Sequence, residues 1–399
     1  MAPVQKRATD LPAKNVRHLL LITPYFASHG GGVEKVAGRL AEGLIGYGWQ
    51  VVWLASADRD AAANWQSDES RLAQTGLEMR PVPSRNGVEQ RTGVPFPLWG
   101  WRAVRLLWQQ AAQADVVMIH EALYVPSMLA ALVARWHGRP VVLVQHVGAV
   151  PYRQAALRAI VAMGNALWAR TVHGLAQRIV YISQTVMQYF EGARPRAESV
   201  LVPNGVDVEY FAPKEAPIGQ EKKSGYRLLF VGRFVEKKGL DIIEALARHR
   251  PDLHFSLAGE GPITPGSWNL SNVQVLGYLD ARQLARQYKL ADALLLPSHG
   301  EGFPLVVQEA MASGLVPLVS SETAHALPGV ADHVHHAPVA RSMVGLIDRW
   351  SCLIDSALSE ERDGQRAQAR AVFAREQWGW ARCVAKHDEL LRNLLERSK

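Results

Sequence analysis

Short apolar, β-branched runs alternate with stretches of helical period along this chain, and the series runs twice. Arg17 to Phe26 reads as a buried strand, Ser28-His-Gly-Gly-Gly32 as a loop and Val33 to Leu44 as a helix. Val51 to Ala55, Val116 to His120, Val141 to His146 and Ile179 to Ser183 are further strand-like runs separated by helix-compatible segments. Parallel neighbours need a crossover, so this alternation specifies a doubly wound parallel sheet with helices on its faces. After Val202-Pro-Asn-Gly-Val-Asp207 comes a polar, Pro/Gly-marked linker from Ala212 to Gly225. The alternation then restarts: Arg227 to Gly232, His254 to Ala258, Val273 to Leu276, Ala293 to Pro297 and Val316 to Ser320 are strands, and Gly239 to Arg248 is a helix. The predicted class is α/β, with two Rossmann-like domains, 1–211 and 212–377, facing a cleft. A helical tail broken near Trp378-Gly-Trp380 lets residues 378–399 cross back to the first domain.

Composition removes several alternatives. With 48% hydrophobic and 20% charged residues, the chain has the make-up of a globular protein rather than a disordered or collagen-like one. Its two cysteines, Cys352 and Cys383, make neither a disulfide framework nor a four-cysteine zinc site, which fits a reducing compartment. No run is long and apolar enough to span a bilayer, and the basic start lacks the apolar core of a signal peptide. A cytoplasmic location is expected. Residues 1–200 hold 21 Lys and Arg against 13 Asp and Glu, whereas residues 201–399 hold 23 against 24. The excess positive charge lies entirely in the first half, which suits an anionic surface or substrate. No nucleic-acid-binding motif accompanies it.

Chemistry-bearing residues cluster at strand ends. Gly30-Gly31-Gly32 between strand and helix offers backbone N–H groups to a phosphate, though a plain tight turn would read the same way. It is neither a P-loop nor a Gly-x-Gly-x-x-Gly fingerprint. Arg233, just past a strand end, and Lys238 five residues on place two cations where a departing diphosphate develops charge. Glu301 in the loop after Ala293 to Pro297 and Glu309 in the next helix stand eight positions apart, so that one can face a sugar and the other the adjoining ribose. Asp58-Arg-Asp60 superficially matches a metal-binding Asp-x-Asp but sits far from these residues and reads as a solvated loop. His333, His335 and His336 lack acidic or cysteine partners at ligand spacing and read as a surface loop. No metal and no cofactor are expected.

Taken together, Gly31-Gly32-Val33-Glu34, Pro203-Asn-Gly-Val-Asp207, Gly232-Arg233 with Lys238-Gly239, Gly259-Glu-Gly-Pro262 and Glu301-Gly-Phe-Pro304 with Glu309 resemble the retaining nucleotide-sugar glycosyltransferases of family four. The resemblance covers about residues 17 to 320 and implies a GT-B fold, acceptor bound mainly by the first domain and donor by the second. It implies Arg233 and Lys238 on the donor diphosphate, Gly31 and Gly32 near the β-phosphate, and Glu301 on sugar hydroxyls beside the Gly302-Phe303-Pro304 turn. Glu309 would hold the ribose, Gly259, Gly261, Pro262 and Tyr278 would lie along the nucleoside, and His146 would reach toward donor sugar or acceptor. It also implies front-side transfer with retention, in which the leaving diphosphate accepts the acceptor's proton.

The chain departs from the family pattern at two places. Asp115-Val-Val-Met-Ile-His120 keeps only the second of a frequent histidine pair, and Ser321-Glu-Thr-Ala-His-Ala-Leu-Pro-Gly329 replaces the usual double-glycine loop.

Trp101, Arg102, Arg105 and Trp108 can share one face of an amphipathic helix, and Arg153, Arg158, Arg170 and Arg178 punctuate a second apolar stretch. Arg beside Trp suits the headgroup zone of an anionic membrane, while ordinary helices packed on a sheet would show the same pattern. The function expected is hexose transfer from a UDP- or GDP-linked sugar to a growing, lipid-linked glycan in bacterial lipopolysaccharide or exopolysaccharide synthesis, at the inner face of the plasma membrane. A soluble sucrose- or glycogen-type synthase, a sugar-nucleotide epimerase and a catalytically silent nucleotide-sugar-binding module are the alternatives.

Overall fold

A computed structural model describes residues 16–29, 31–57, 76–85, 87, 97–148, 163–164, 168–191, 197–213, 225–299, 302–340, 345–360 and 364–397. Among these the strands are β1 Arg17–Tyr25, β2 Trp49–Ala57, β3 Glu78–Arg85, β4 Leu98–Trp99, β5 Val116–His120, β6 Val141–Gln145, β7 Arg178–Tyr181, β8 Glu198–Leu201, β9 Arg227–Val231, β10 His254–Ala258, β11 Val273–Gly277, β12 Ala293–Leu296, β13 Val316–Ser320 and β14 His335–Ala337. The helices are α1 Gly32–Gly46, α2 Trp101–Gln113, α3 Val125–Trp136, α4 Arg170–Leu175, α5 Gln184–Glu191, α6 Leu240–His249, α7 Ala281–Leu290, α8 Leu305–Ala312, α9 Ser321–Ala324, α10 Leu346–Glu360, α11 Gln365–Trp378 and α12 Trp380–Arg397.

Two sheets result, ordered β4-β3-β2-β1-β5-β6-β7-β8 and β11-β10-β9-β12-β13-β14. The α/β doubly wound class is therefore the observed one. In the first sheet β1 lies between β2 and β5, parallel to both, with Leu19 opposite Val51 on one side and Val116 on the other. In the second sheet β9 lies between β10 and β12, with Leu228 opposite Phe255 and Ala293. The order of strands reverses at β1 and at β9, and ligands of open parallel sheets bind beyond the carboxyl ends at such a reversal. Central strands are buried on both faces, which explains why they read as unbroken apolar runs.

Strands outside the predicted set carry weaker signals. In β3, Glu-Met-Arg-Pro-Val-Pro-Ser-Arg, two prolines and three charged residues interrupt the apolar pattern, and β3 pairs antiparallel with the two-residue β4. Residues His335 and His336, read from sequence as loop, form part of the edge strand β14, hydrogen-bonded to β13.

By contacts the chain divides into two compact units, one of residues 1–143, 175–177 and 388–399, the other of residues 144–174 and 178–387. In the first, the apolar run Leu19–Ile22 is buried and Trp53 donates its indole N–H to Thr23 at 2.7 Å. Trp49 donates to Asp388 at 2.7 Å, and the Arg392 guanidinium reaches the Tyr47 carbonyl at 2.8 Å, so the end of α12 is tied to the start of β2. In the second unit, Gly379 separates α11 from α12 and forms a bridge with Val206. Gly205 lies against the Trp380 ring so closely that a Cβ there would overlap the indole. The buried Arg370 of α11 satisfies the His333 and Gly314 carbonyls at 2.9 and 2.7 Å.

Candidate functional site

In the second unit the loops leaving β9, β10 and β12 run together at the carboxyl edge of the sheet. Gly232 donates to Ala258 at 3.0 Å, Phe234 to Glu260 at 2.8 Å, and Ile263 to Phe234 at 3.1 Å, so two loops pair backbone to backbone. Gly259, at φ +139°, has no room for a side chain: a Cβ would overlap the Gly232 carbonyl oxygen. A Cβ on Gly261 would stand 2.5 Å from the Phe234 oxygen. Gly259 and Gly261, two of the predicted nucleoside contacts, thus also pack against the β9 loop.

That loop carries the two cations. Glu236–Lys238 forms a single tight turn ending at Gly239, whose φ of +72° and contact with the Pro297 carbonyl both demand glycine. His299 donates to the Lys237 carbonyl at 3.0 Å, a second tie between this turn and the segment after β12. Lys238 folds back over the strand end, its Cε 3.5 Å from where a Cβ on Gly232 would lie. Arg233 is exposed beside it. Positive charge is consequently held at the reversal point of the second sheet, where a bound anion would meet it.

The segment after β12 leads into the predicted sugar-contacting turn. Glu301, with Gly300, lies outside the described residues, so its place is not given. Gly302 rests on the end of β6, where a Cβ would stand 2.5 Å from the His146 oxygen, and Ile182 and Val186 close the other side. Phe303 is buried against Trp378 with ring centroids 5.4 Å apart, and Pro304 opens α8 as its N-cap. On α8, Glu309 accepts a 2.8 Å hydrogen bond from the phenol of Tyr288. Burial first, and the Glu309 charge second, keep that phenol protonated far above its ordinary range, so it is a fixed donor orienting the carboxylate. Sequence reasoning missed Tyr288, because a single aromatic on the apolar stripe of α7 looks like core. Tyr278, after Gly277 at φ +69°, is 68% exposed and leaves its ring open to a flat ligand.

His146 directly follows β6 and is buried. Burial, with a smaller contribution from nearby His387, pushes its pKa down to about 3, and burial also lowers that of His387. Both rings are neutral at pH 7, so His146 offers a dipole and a hydrogen bond rather than a positive charge. In the unfolded chain these rings protonate near pH 6.5, which the folded state resists. Stability is therefore expected to be full above pH 7 and to fall as pH drops from about 6.5 toward 3. Thermal melts across that range check this, and His146→Gln should flatten the fall. A melting temperature unchanged between pH 7.5 and 5 would contradict it.

In the first unit Gly31 caps α1 and Gly32 begins it, as the strand–loop–helix reading requires. The half-turn they form is not open, however. The buried Glu34 folds its carboxylate back over Gly31, at the place a Cβ would take. An acidic group already faces the N-terminal N–H groups, the usual preference at a helix start. A phosphate approaching Gly31 and Gly32 would meet that charge. Trp101, Arg102, Arg105 and Trp108 all lie on the exposed side of α2. Of the second Arg-bearing stretch, Arg153 and Arg158 lie outside the described residues, as do Asp58 and Asp60. Among the described residues no three His, Cys, Asp or Glu side chains stand together as a metal site, and no helix is long and apolar enough to cross a membrane.

Residues 30–210 match the family model described as Glycosyltransferase Family 4, and residues 225–354 the model described as Glycosyl transferases group 1. The chain is 31% identical over 194 residues to a glycogen synthase of Mycobacterium tuberculosis, a match covering 44% of each chain. It therefore spans less than half the length of the first curated relatives it matches. Identity to a phosphatidyl-myo-inositol mannosyltransferase of the same organism is 26% over 351 residues, covering 82% of this chain and 87% of that one. Among solved structures, Anabaena HepE in complex with UDP superposes with a TM-score of 0.68 at 15% identity, covering 94% of this chain and all of the other.

Proposed function

Because the chain belongs to glycosyltransferase family 4 and has the GT-B fold, we propose that it moves a hexose from a nucleoside-diphosphate sugar to a glycan acceptor with retention at the anomeric carbon. The observation that carries this reading is the pair Arg233 and Lys238, held beyond the reversal of the second sheet by the contacts of Gly239 with Pro297 and of Lys237 with His299. In the reaction the donor C1–O bond breaks and the electron pair stays on the diphosphate, where the two cations stabilise it. The acceptor hydroxyl attacks from the same face and gives its proton to the departing diphosphate oxygen, so no carboxylate nucleophile is needed. Glu301 and the Gly302-Phe303-Pro304 backbone take the sugar hydroxyls, and Glu309, oriented by Tyr288, takes the ribose. Arg233 and Lys238 supply the charge a metal would otherwise provide.

A lipid-linked acceptor is favoured by the longer of the two curated matches, which runs along most of the chain with a mannosyltransferase of phosphatidyl-myo-inositol. A glycogen-type synthase is the second reading, favoured by the higher identity of the shorter match. Lipopolysaccharide or exopolysaccharide assembly at the cytoplasmic face of the membrane is the setting that the lipid-linked reading implies.

The test is a thermal-shift series with UDP, GDP, ADP and their common sugar conjugates, with and without EDTA. One nucleotide should raise the melting temperature selectively and regardless of EDTA, because a ligand of the native state stabilises it. Tyr288→Phe should lower the unliganded melting temperature, since a buried hydrogen bond to a charged group is lost, and should in addition weaken that nucleotide by about tenfold. No shift with any nucleotide would overturn the donor site.

A further inference from the structure

We propose that the cavity between α5 and the segment 321–331 of the second unit binds an uncharged sugar unit, at a site separate from the turn assigned to the donor sugar. Ser321 to Gly329 is the stretch in which the chain leaves the family pattern, and beside it lies a cavity of about 480 Å³, a size common among small-molecule sites. One wall is the stripe Gln184, Thr185 and Gln188 on α5, and the other carries Glu322 and His325. Two amides, a hydroxyl, a carboxylate and an imidazole offer the mixture of donors and acceptors that adjacent sugar hydroxyls need. Leu327 and Pro328 add an aliphatic surface for the C–H face of the ring.

The walls are fixed before any ligand arrives. The Gln184 N–H donates to the Ala326 carbonyl at 2.7 Å, which pins the segment to the first turn of α5, and the Ser183 hydroxyl accepts from the Val186 N–H at 3.2 Å. His325 donates from Nδ1 to the Ser321 carbonyl at 2.7 Å, so Nε2 is the acceptor left for a hydroxyl when the ring is neutral. The Ser321 hydroxyl meets Nδ1 of His336 at 3.2 Å, which ties the segment to β14. Such ordering lowers the cost of holding a small ligand. Charge narrows the occupant, because Glu322 repels a phosphate or a carboxylate and leaves an uncharged polyol favoured. On the opposite side of α5, Val186 packs beside Gly302, so this one helix lies between the cavity and the turn assigned to the donor sugar. The cavity thus suits a sugar of the glycan acceptor away from its reacting end, a role that rests on the transferase reading, whereas the sugar site itself does not.

The experiment is saturation-transfer NMR of the full chain with glucose, galactose, mannose and maltotriose, each titrated to give an affinity, and with the 6-phosphates of the three hexoses. At least one neutral sugar should bind in the millimolar range, and its 6-phosphate more weakly. Q184A/Q188A, which keeps good helix formers on the exposed side of α5, should weaken the neutral sugar about tenfold through two lost hydrogen bonds. T185W, which places an indole in the cavity, should abolish binding. E322Q should bring the 6-phosphate up toward the neutral sugar, a change that a merely structural glutamate would not produce. Melting temperatures and the nucleotide-induced thermal shift are measured on the same samples, so failure of this site and failure of the donor site are read separately. Tighter binding of maltotriose than of glucose marks a glycan as the occupant and equal binding a free sugar, and both support the site. No binding of any neutral sugar, unchanged binding in both α5 variants, or tighter binding of the 6-phosphates overturns the proposal.

Discussion

Lys238→Ala is expected to lower turnover roughly 100- to 1,000-fold, the range seen when one fixed stabiliser of developing charge is removed. The side chain lies over Gly232 at the end of β9 rather than in the hydrophobic core, and its backbone is held by the turn that Gly239 closes. Removing the amine therefore leaves the architecture in place. The melting temperature should move little, and kcat should fall more than KM rises, because the charge on the diphosphate grows as the C1–O bond breaks. Arg233→Ala should act in the same direction. Near-normal kcat in both variants, with unchanged melting curves, would refute the assignment of the leaving-group site.

The second large effect is on stability. Gly259→Ala forces a Cβ into the Gly232 carbonyl oxygen and places alanine at φ +139°. The overlap is with backbone, which cannot rotate away as a side-chain tip can. A destabilisation of roughly 2–4 kcal/mol is expected, combining backbone strain with displacement of a packed loop. For a unit of this size that is a melting temperature lower by about 5–15 °C. Because the β9 loop is what moves, nucleotide affinity should fall with it. Gly46→Ala is the control: it sits in the last turn of α1, where a Cβ would meet nothing within 4 Å. That substitution should be neutral or stabilising by about 0.5–1 kcal/mol. Equal melting temperatures for the two variants would contradict the packing argument.

What could be read from the sequence depended on how local each signal was. Strands β1, β5, β9, β10 and β12 are buried and apolar throughout most of their length, so each announces itself within a few residues. The break at Gly379 was equally legible, flanked by two tryptophans within a helical pattern. β3 and β14 were not, since prolines in one and histidines in the other disguise strands that exist through their neighbours. The cations Arg233 and Lys238 could be placed because they adjoin a strand end. Tyr288 could not, because its meaning comes from Glu309, 21 residues away, across a helix contact. Glu34 shows the opposite failure. A glycine pair before a helix reads as an anion cradle, yet the third residue of that helix turns its own carboxylate onto it. The contact of Trp108 with Trp136 was hidden for a similar reason, since the two meet through tertiary packing, 28 positions apart.

The C-terminal tail imposes an order on how the protein comes into being. Phe303, in the turn proposed to hold the donor sugar, finds its packing partner only when Trp378 has been made, and Trp49 of β2 finds its acceptor only with Asp388. Neither unit is therefore complete until the chain has been made through these residues. A chain cut before Trp378 would thus leave both units without a packing or hydrogen-bond partner, however intact the residues before the cut.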